Sequence, residues 1–183
     1  RVPDSVVLAG LAPHPPIIIP EIGRGEEQLG ISTVRAMDEL GKEFTQSGLD
    51  TLVIITPHGP VFGDALSMPA VRELQGDFGQ FGARMVGAKV EIDLALVEAI
   101  GKRSRNADIQ VVELDKRLYS WYRLKPRLDH GVLVPLYYLR KHGFDAALVI
   151  VNIGFLPYLD LYRFGKIVTE AADELGRKIG VLA

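Results

Sequence analysis

The sequence contains no cysteine. That absence excludes disulfides, Cys-ligated zinc, Cys-bound iron–sulfur clusters and cysteine nucleophiles together. Any metal must then be held by histidine and carboxylate. Histidine is itself scarce, with four in 183 residues. The apolar runs fall far short of the ~18 residues that suggest a membrane helix, and no signal peptide is visible. Positive charge is not in excess: 21 Lys and Arg stand against 23 Asp and Glu, a formal net charge of −2. No basic field for nucleic acid or anionic lipid is therefore expected. Repeats and low-complexity tracts are missing. So is a GxSxG elbow, and Gly23-Arg24-Gly25 does not continue as GxGxxG. Asp77-Phe78-Gly79 stands without the other protein-kinase motifs.

What is present suits a globular protein. Hydrophobic residues make up 48% and charged residues 24%, which argues against disorder, collagen and coiled coil. The length fits one domain over 1–183, large enough to bury about 70% of its unfolded surface. A cytoplasmic location is expected. The first residue is Arg1 rather than Met, which we read as a trimmed N-terminus.

Strand and helix signals alternate along the chain. Residues 5–11 (SVVLAGL), 52–56 (LVIIT), 147–152 (ALVIVN) and 179–183 (IGVLA) read as buried strands. Weaker strand signals lie at 65–68, 86–92 and 109–113. Residues 26–46 read as a helix with Leu29, Thr33, Met37, Leu40 and Phe44 on one face, although Gly30 and Gly41 weaken it. Asp93 is expected to cap a helix through residue 102. Further helices are expected at 131–142 and 158–177. Residues 74–85, with three glycines, read as a surface loop. Strands alternating with helices of this length imply an α/β fold, a three-layer α/β/α arrangement around a mostly parallel or mixed sheet.

Three histidines stand in unusual places. His14 lies in Pro13-His14-Pro15-Pro16 after the first strand, and His58 in Thr56-Pro57-His58-Gly59-Pro60 after the second. If these strands are parallel and one or two spacings apart, both histidines leave the carboxyl edge, where open α/β sheets bind ligands. Two imidazoles there can reach one metal at about 2.1 Å. Proline after His14 stiffens its loop, and Gly59 allows a close backbone approach beside His58. Each histidine alone also fits an ordinary turn. His130, in Leu128-Asp129-His130-Gly131, opens a helix. A neutral imidazole there can act as a base, or Asp129 and His130 can simply form the helix start. His142 reads as a C-terminal dipole partner. Trp121, Tyr119 and Tyr122 fit either a pocket lining or packing.

Taken in order, PHPPIIIPEIG, TPHGPVF, GDFGQFGA and LDHGVLVPLYYL resemble the LigB-type family, the catalytic subunit of class III extradiol ring-cleavage dioxygenases. The resemblance covers nearly the whole chain. It is closer still to the LigB-like domain of the AmmeMemoRadiSam gene-cluster proteins, relatives of the Memo proteins. It implies an α/β fold and non-haem Fe(II) held by two His and one Glu, with room for a catechol-like aromatic substrate and O₂. Carried over by motif, His14 and His58 match the metal ligands. His130 would line the substrate pocket and serve catalysis. The family's remaining ligand and acid/base His lie beyond a strand like IGVLA, in a motif opening SGDLSH. We therefore expect the chain to continue past Ala183. Glu21, Asp64 and Asp129 do not match that ligand. Two alternatives stay open: a Memo-like binding or redox role with a partner protein or as a homo-oligomer, and a zinc hydrolase on the same histidines.

Overall fold

The computed structural model describes residues 5–183. Six strands form one sheet in the order β1 (Val6–Gly10), β8 (Ile179–Leu182), β2 (Thr51–Thr56), β7 (Ala147–Asn152), β3 (Leu66–Pro69) and β6 (Val111–Leu114). The first four run parallel. Strand β3 meets β7 antiparallel through Ser67 and Asn152, and β6 runs parallel to β3. Strands β4 (Glu73–Phe78) and β5 (Ala83–Glu91) make a separate antiparallel hairpin.

Helices α1 (Pro20–Gly23), α2 (Ile31–Gln46), α3 (Leu94–Asn106), α4 (Lys116–Trp121), α5 (His130–Lys141) and α6 (Tyr158–Glu174) complete the fold. α2 packs on α5, and α3 on α6. Phe44 of α2 lies against the face of β8 at Gly180. Val181, the next residue, shares a groove with Phe164 and Val168 of α6. Successive strand residues point to opposite faces, so the two helix pairs cover opposite faces of the sheet. Double coverage explains why β2 and β7 read as unbroken apolar runs: both are buried almost throughout. The three-layer α/β/α architecture with a mixed sheet is the one expected from the sequence. Among the described residues, no helix is long and apolar enough to cross a membrane.

Two local expectations need correction. The helix expected over 26–46 is broken: Glu26–Gly30 is a 3-10 turn and α2 begins at Ile31. The break at Gly30 turns Leu29 outward, leaving it 91% exposed. Residues 74–85 are not a surface loop. They supply most of β4 and the start of β5, and Gly76 serves close approach: a Cβ on it would lie 2.6 Å from the Leu128 carbonyl oxygen. Asp77-Phe78-Gly79 is part of the hairpin's turn, where the Asp77 carboxylate accepts the Gly79 N–H at 2.7 Å. The short helices α1 and α4 carry too few residues for a periodic signal.

Asp93 anchors α3 as expected, accepting the Leu96 N–H at 3.1 Å. Its other oxygen accepts from the Thr51 hydroxyl at 2.7 Å and from Arg177 at 2.9 Å. One carboxylate thus joins β2, α3 and the turn before β8. Burial alone would raise the Asp93 carboxyl. The hydrogen bonds from Thr51, Arg177 and Leu96, with the Arg177 charge, outweigh it and hold the group below its ordinary value of 3.8. A depressed carboxyl stabilises the fold above that value and loses the contribution as pH falls through its folded pKa. Asp93→Asn should therefore lower stability at pH 7 by about 1–3 kcal/mol. In urea titrations the gap to the parent should narrow as the pH drops below 3.8. A gap that stays constant with pH would contradict this account.

Candidate functional site

The site forms where the parallel strands end. β8 lies between β1 and β2, so the loops after β1 and β2 start two strand spacings apart, about 9.6 Å. Each loop then leans inward. After β1, the Ala12 N–H donates to the Ala183 carbonyl at 2.7 Å, fixing the start of the loop beside β8. Pro15 is extended and Pro16 opens a 3-10 turn over Pro16–Ile18. Ile18 and Ile19 are buried, and the Tyr138 hydroxyl donates to the Ile18 carbonyl. His14 is held between these anchors.

After β2, the His58 N–H donates to the Thr56 hydroxyl oxygen at 3.2 Å. A Cβ on Gly59 would lie 1.8 Å from Asn152 Oδ1, so only glycine fits beside that side chain. Asn152 donates to Ser67 Oγ at 3.1 Å, and Ser67 donates to the Pro60 carbonyl at 3.2 Å. The loop carrying His58 is thereby pinned to the ends of β7 and β3.

The outcome is a cluster of three imidazoles. His14 Nε2 lies 3.0 Å from His58 Nε2. The His58 and His130 rings lie 3.9 Å apart between centroids, and His14 and His130 lie 6.0 Å apart. His142 stands apart, following α5 with its Nε2 3.2 Å from Asp38. Two nitrogens bound at right angles to one ion at about 2.1 Å would be about 3.0 Å apart, so the spacing fits two ligands of a shared metal. Among the described residues, no group of three or more His, Asp or Glu side chains is arranged to hold an ion.

His130 is the first residue of α5, and its position depends on Asp129. The Asp129 carboxylate accepts from the Gly131 N–H at 2.8 Å, capping the helix, and from the Thr56 hydroxyl at 2.7 Å. The Thr56 hydroxyl thus donates to Asp129 and accepts from His58, linking both histidine segments. A Cβ on Gly131 would lie 2.4 Å from Thr56 Oγ1, which explains a glycine there. Phe81 from the hairpin turn meets His130 in a T-shaped contact at 5.3 Å. Burial lowers the His130 pKa below its ordinary 6.5, and His58 and His14 add to this while the Asp129 charge opposes it.

The other carboxylates have separate places. Glu21 accepts from the Tyr137 hydroxyl at 3.1 Å. Burial first, then the Glu21 charge and hydrogen bond, push that phenol up to about 12. Asp64 is exposed. Trp121 is exposed too, Tyr119 is buried, and Tyr122 packs on Phe62 at 5.1 Å. Sequence reasoning missed Thr56, Ser67 and Asn152. Thr56 and Asn152 are polar residues closing otherwise apolar strands at the carboxyl edge, a signal that could have found them. Thr56→Val should cost about 1–3 kcal/mol, because the His58 N–H and the Asp129 carboxylate each lose a partner. It should also move the His58 and His130 imidazole resonances. A variant with parental melting and unchanged resonances would contradict the linkage.

Comparison with known proteins bears on this arrangement. Residues 8–183 match the family described as the catalytic LigB subunit of aromatic ring-opening dioxygenase. Protein CA_C1420 of Clostridium acetobutylicum is 33% identical over 173 residues, covering 94% of this chain. The chain spans 37% of the length of that curated relative. With the match running through every strand of the central sheet and all three clustered histidines, the chain belongs to the family of the catalytic LigB subunit of aromatic ring-opening dioxygenases.

Proposed function

We propose that the protein is a non-haem Fe(II)-dependent oxidoreductase that opens catechol-type rings with O₂. The observation that carries this reading is the 3.0 Å approach of His14 Nε2 to His58 Nε2 at the carboxyl edge of the sheet. His14 and His58 would hold the metal. A ferrous ion with open positions supplies a common binding point for a catecholate and dioxygen. Among the described residues, no third His, Asp or Glu groups with this pair to hold an ion.

The chain's own groups would do the rest. The Pro-stiffened loop of His14 and the pinned loop of His58 keep the two nitrogens together without a large entropic cost. His130, stacked beside His58 and next to the cap at Asp129, would take a phenolic proton at an imidazole nitrogen. Phe81 and the hairpin cover one side of that ring.

The intact protein, reconstituted anaerobically with Fe(II), should bind about one equivalent by elemental analysis. His14→Ala and His58→Ala should each lose most of it. His130→Phe should keep metal and fold but lose turnover by about 100-fold or more in oxygen uptake with a panel of catechols. Retention of metal by both alanine variants would overturn the ligand assignment. Zinc as the resident metal, or no oxygen uptake by the iron-loaded parent, would overturn the ring-opening reading.

A further inference from the structure

The aromatic residues of α4 and its end take different places. Tyr119 is buried, Tyr122 packs on Phe62, and Trp121, the one tryptophan of the chain, is 78% exposed. A single exposed aromatic is ordinary on a protein surface. The groups around this one are not. Arg117, Ser120, Trp121 and Arg123 together line a shallow depression of about 550 Å³. Arg117, Ser120 and Trp121 share one face of α4, at spacings of three and one, so that Arg117 and Trp121 stand one turn apart. None of these four residues lines the cleft beside His58 and His130.

No carboxylate lines the depression. Residues 115–127 carry five Lys or Arg against one Asp, in a chain of formal net charge −2. That acid, Asp115, keeps its charge but caps the opposite end of α4, where it accepts the Leu118 N–H at 2.7 Å. Asp64 follows Phe62 on the loop that meets Tyr122 and is not on the lining either. Among the described residues, Arg117 and Arg123 form no ion pair. Arg123 also holds a left-handed backbone conformation, with φ 54°. α4 ends there: the Arg123 N–H donates to the Ser120 carbonyl at 3.1 Å, and the Leu124 N–H to the Tyr119 carbonyl at 2.9 Å. Glycine fits such a position freely and arginine does not. The helix end thus keeps a guanidinium beside the indole at a conformational cost.

We propose that this depression binds a nucleotide unit, its base stacked on the Trp121 indole and its phosphate held by Arg117 and Arg123. Every base has a flat face that stacks on an exposed aromatic ring. Guanidinium groups bind phosphate oxygens with paired hydrogen bonds, and the Ser120 hydroxyl adds one more donor. A concave lining receives a flat group, whereas a membrane anchor needs a protruding apolar tip. A free nucleotide and a nucleotide within a single strand share this chemistry. In a strand, Lys125 and Arg127 would meet the further phosphates. The site uses neither the metal nor the histidine cluster.

The test is a fluorescence titration of the intact protein, in which the one tryptophan reports on its own site. The probes are AMP, adenosine, inorganic phosphate and a deoxyadenosine decamer. AMP should quench the emission and bind about tenfold tighter than adenosine or phosphate, and should weaken as salt rises. Tighter binding of the decamer than of AMP at equal nucleotide concentration assigns the site to a single strand, and equal or weaker binding assigns it to free nucleotides. R117Q, and separately R123G, should lose about tenfold in AMP affinity while binding adenosine as the parent does. R123G should also melt no lower than the parent, because glycine suits that backbone. No quenching by AMP or the decamer, equal binding of AMP and adenosine, or parental AMP affinity in both variants would overturn the proposal. So would stronger quenching by a hexaglutamate peptide or by phosphatidylglycerol vesicles than by either nucleotide probe, which would make the surface one for an acidic protein or a membrane. Fe(II) binding by the same variants should match the parent, so failure here is separable from failure of the ring-opening reading.

Discussion

Strand β8 hydrogen-bonds to β1 on one side and β2 on the other, all three parallel. That placement sets the geometry of the whole site. Parallel strands bring their carboxyl ends to one edge, and β8 keeps the loops of His14 and His58 two spacings apart rather than one. The loops must then turn toward each other over the end of β8, and the buried Ile18 and Ile19 and the Asn152–Ser67–Pro60 chain of hydrogen bonds hold them there. The 3.0 Å approach of the two Nε2 atoms follows from that inward lean. The Asp93 carboxylate supports the same region from the opposite end of the sheet, where it ties Thr51 to Arg177 before β8.

A second device adds the third imidazole. Asp129 caps α5 and receives the Thr56 hydroxyl, so the start of a helix is fastened to the end of a strand by one carboxylate. The same threonine accepts from the His58 N–H. Helix start, strand end and histidine loop are therefore positioned together. Orientation of this kind is where a protein contributes most to chemistry that a small set of side chains could not arrange in water.

Much of this was legible in the sequence. Long apolar runs at 52–56 and 147–152 marked central strands because both sheet faces are covered. His14, His58 and His130 stood out because proline, glycine and a cap flank them after strands or at a helix start. Sequence did not reveal the hairpin, because Gly76 and Gly87 serve backbone approach there while resembling loop glycines. Nor did it reveal the order of strands: only the fold shows that β8, the latest of the eight described strands in sequence, inserts between β1 and β2. The cleft beside His58 and His130, lined in part by Arg84 and Arg127, escaped notice for a similar reason. Arg84 and Arg127 are far apart in sequence and come together only when the hairpin folds against the segment before α5.

The central claim is that His14 and His58, and not His130, are the imidazole ligands of one metal. The most direct measurement is the iron K-edge X-ray absorption spectrum of the Fe(II)-loaded protein, recorded for the parent and for His130→Phe. The account predicts scattering from two imidazoles at about 2.1 Å, unchanged when His130 is replaced. Loss of one imidazole contribution in His130→Phe, or a parent spectrum without imidazole scattering, would contradict it.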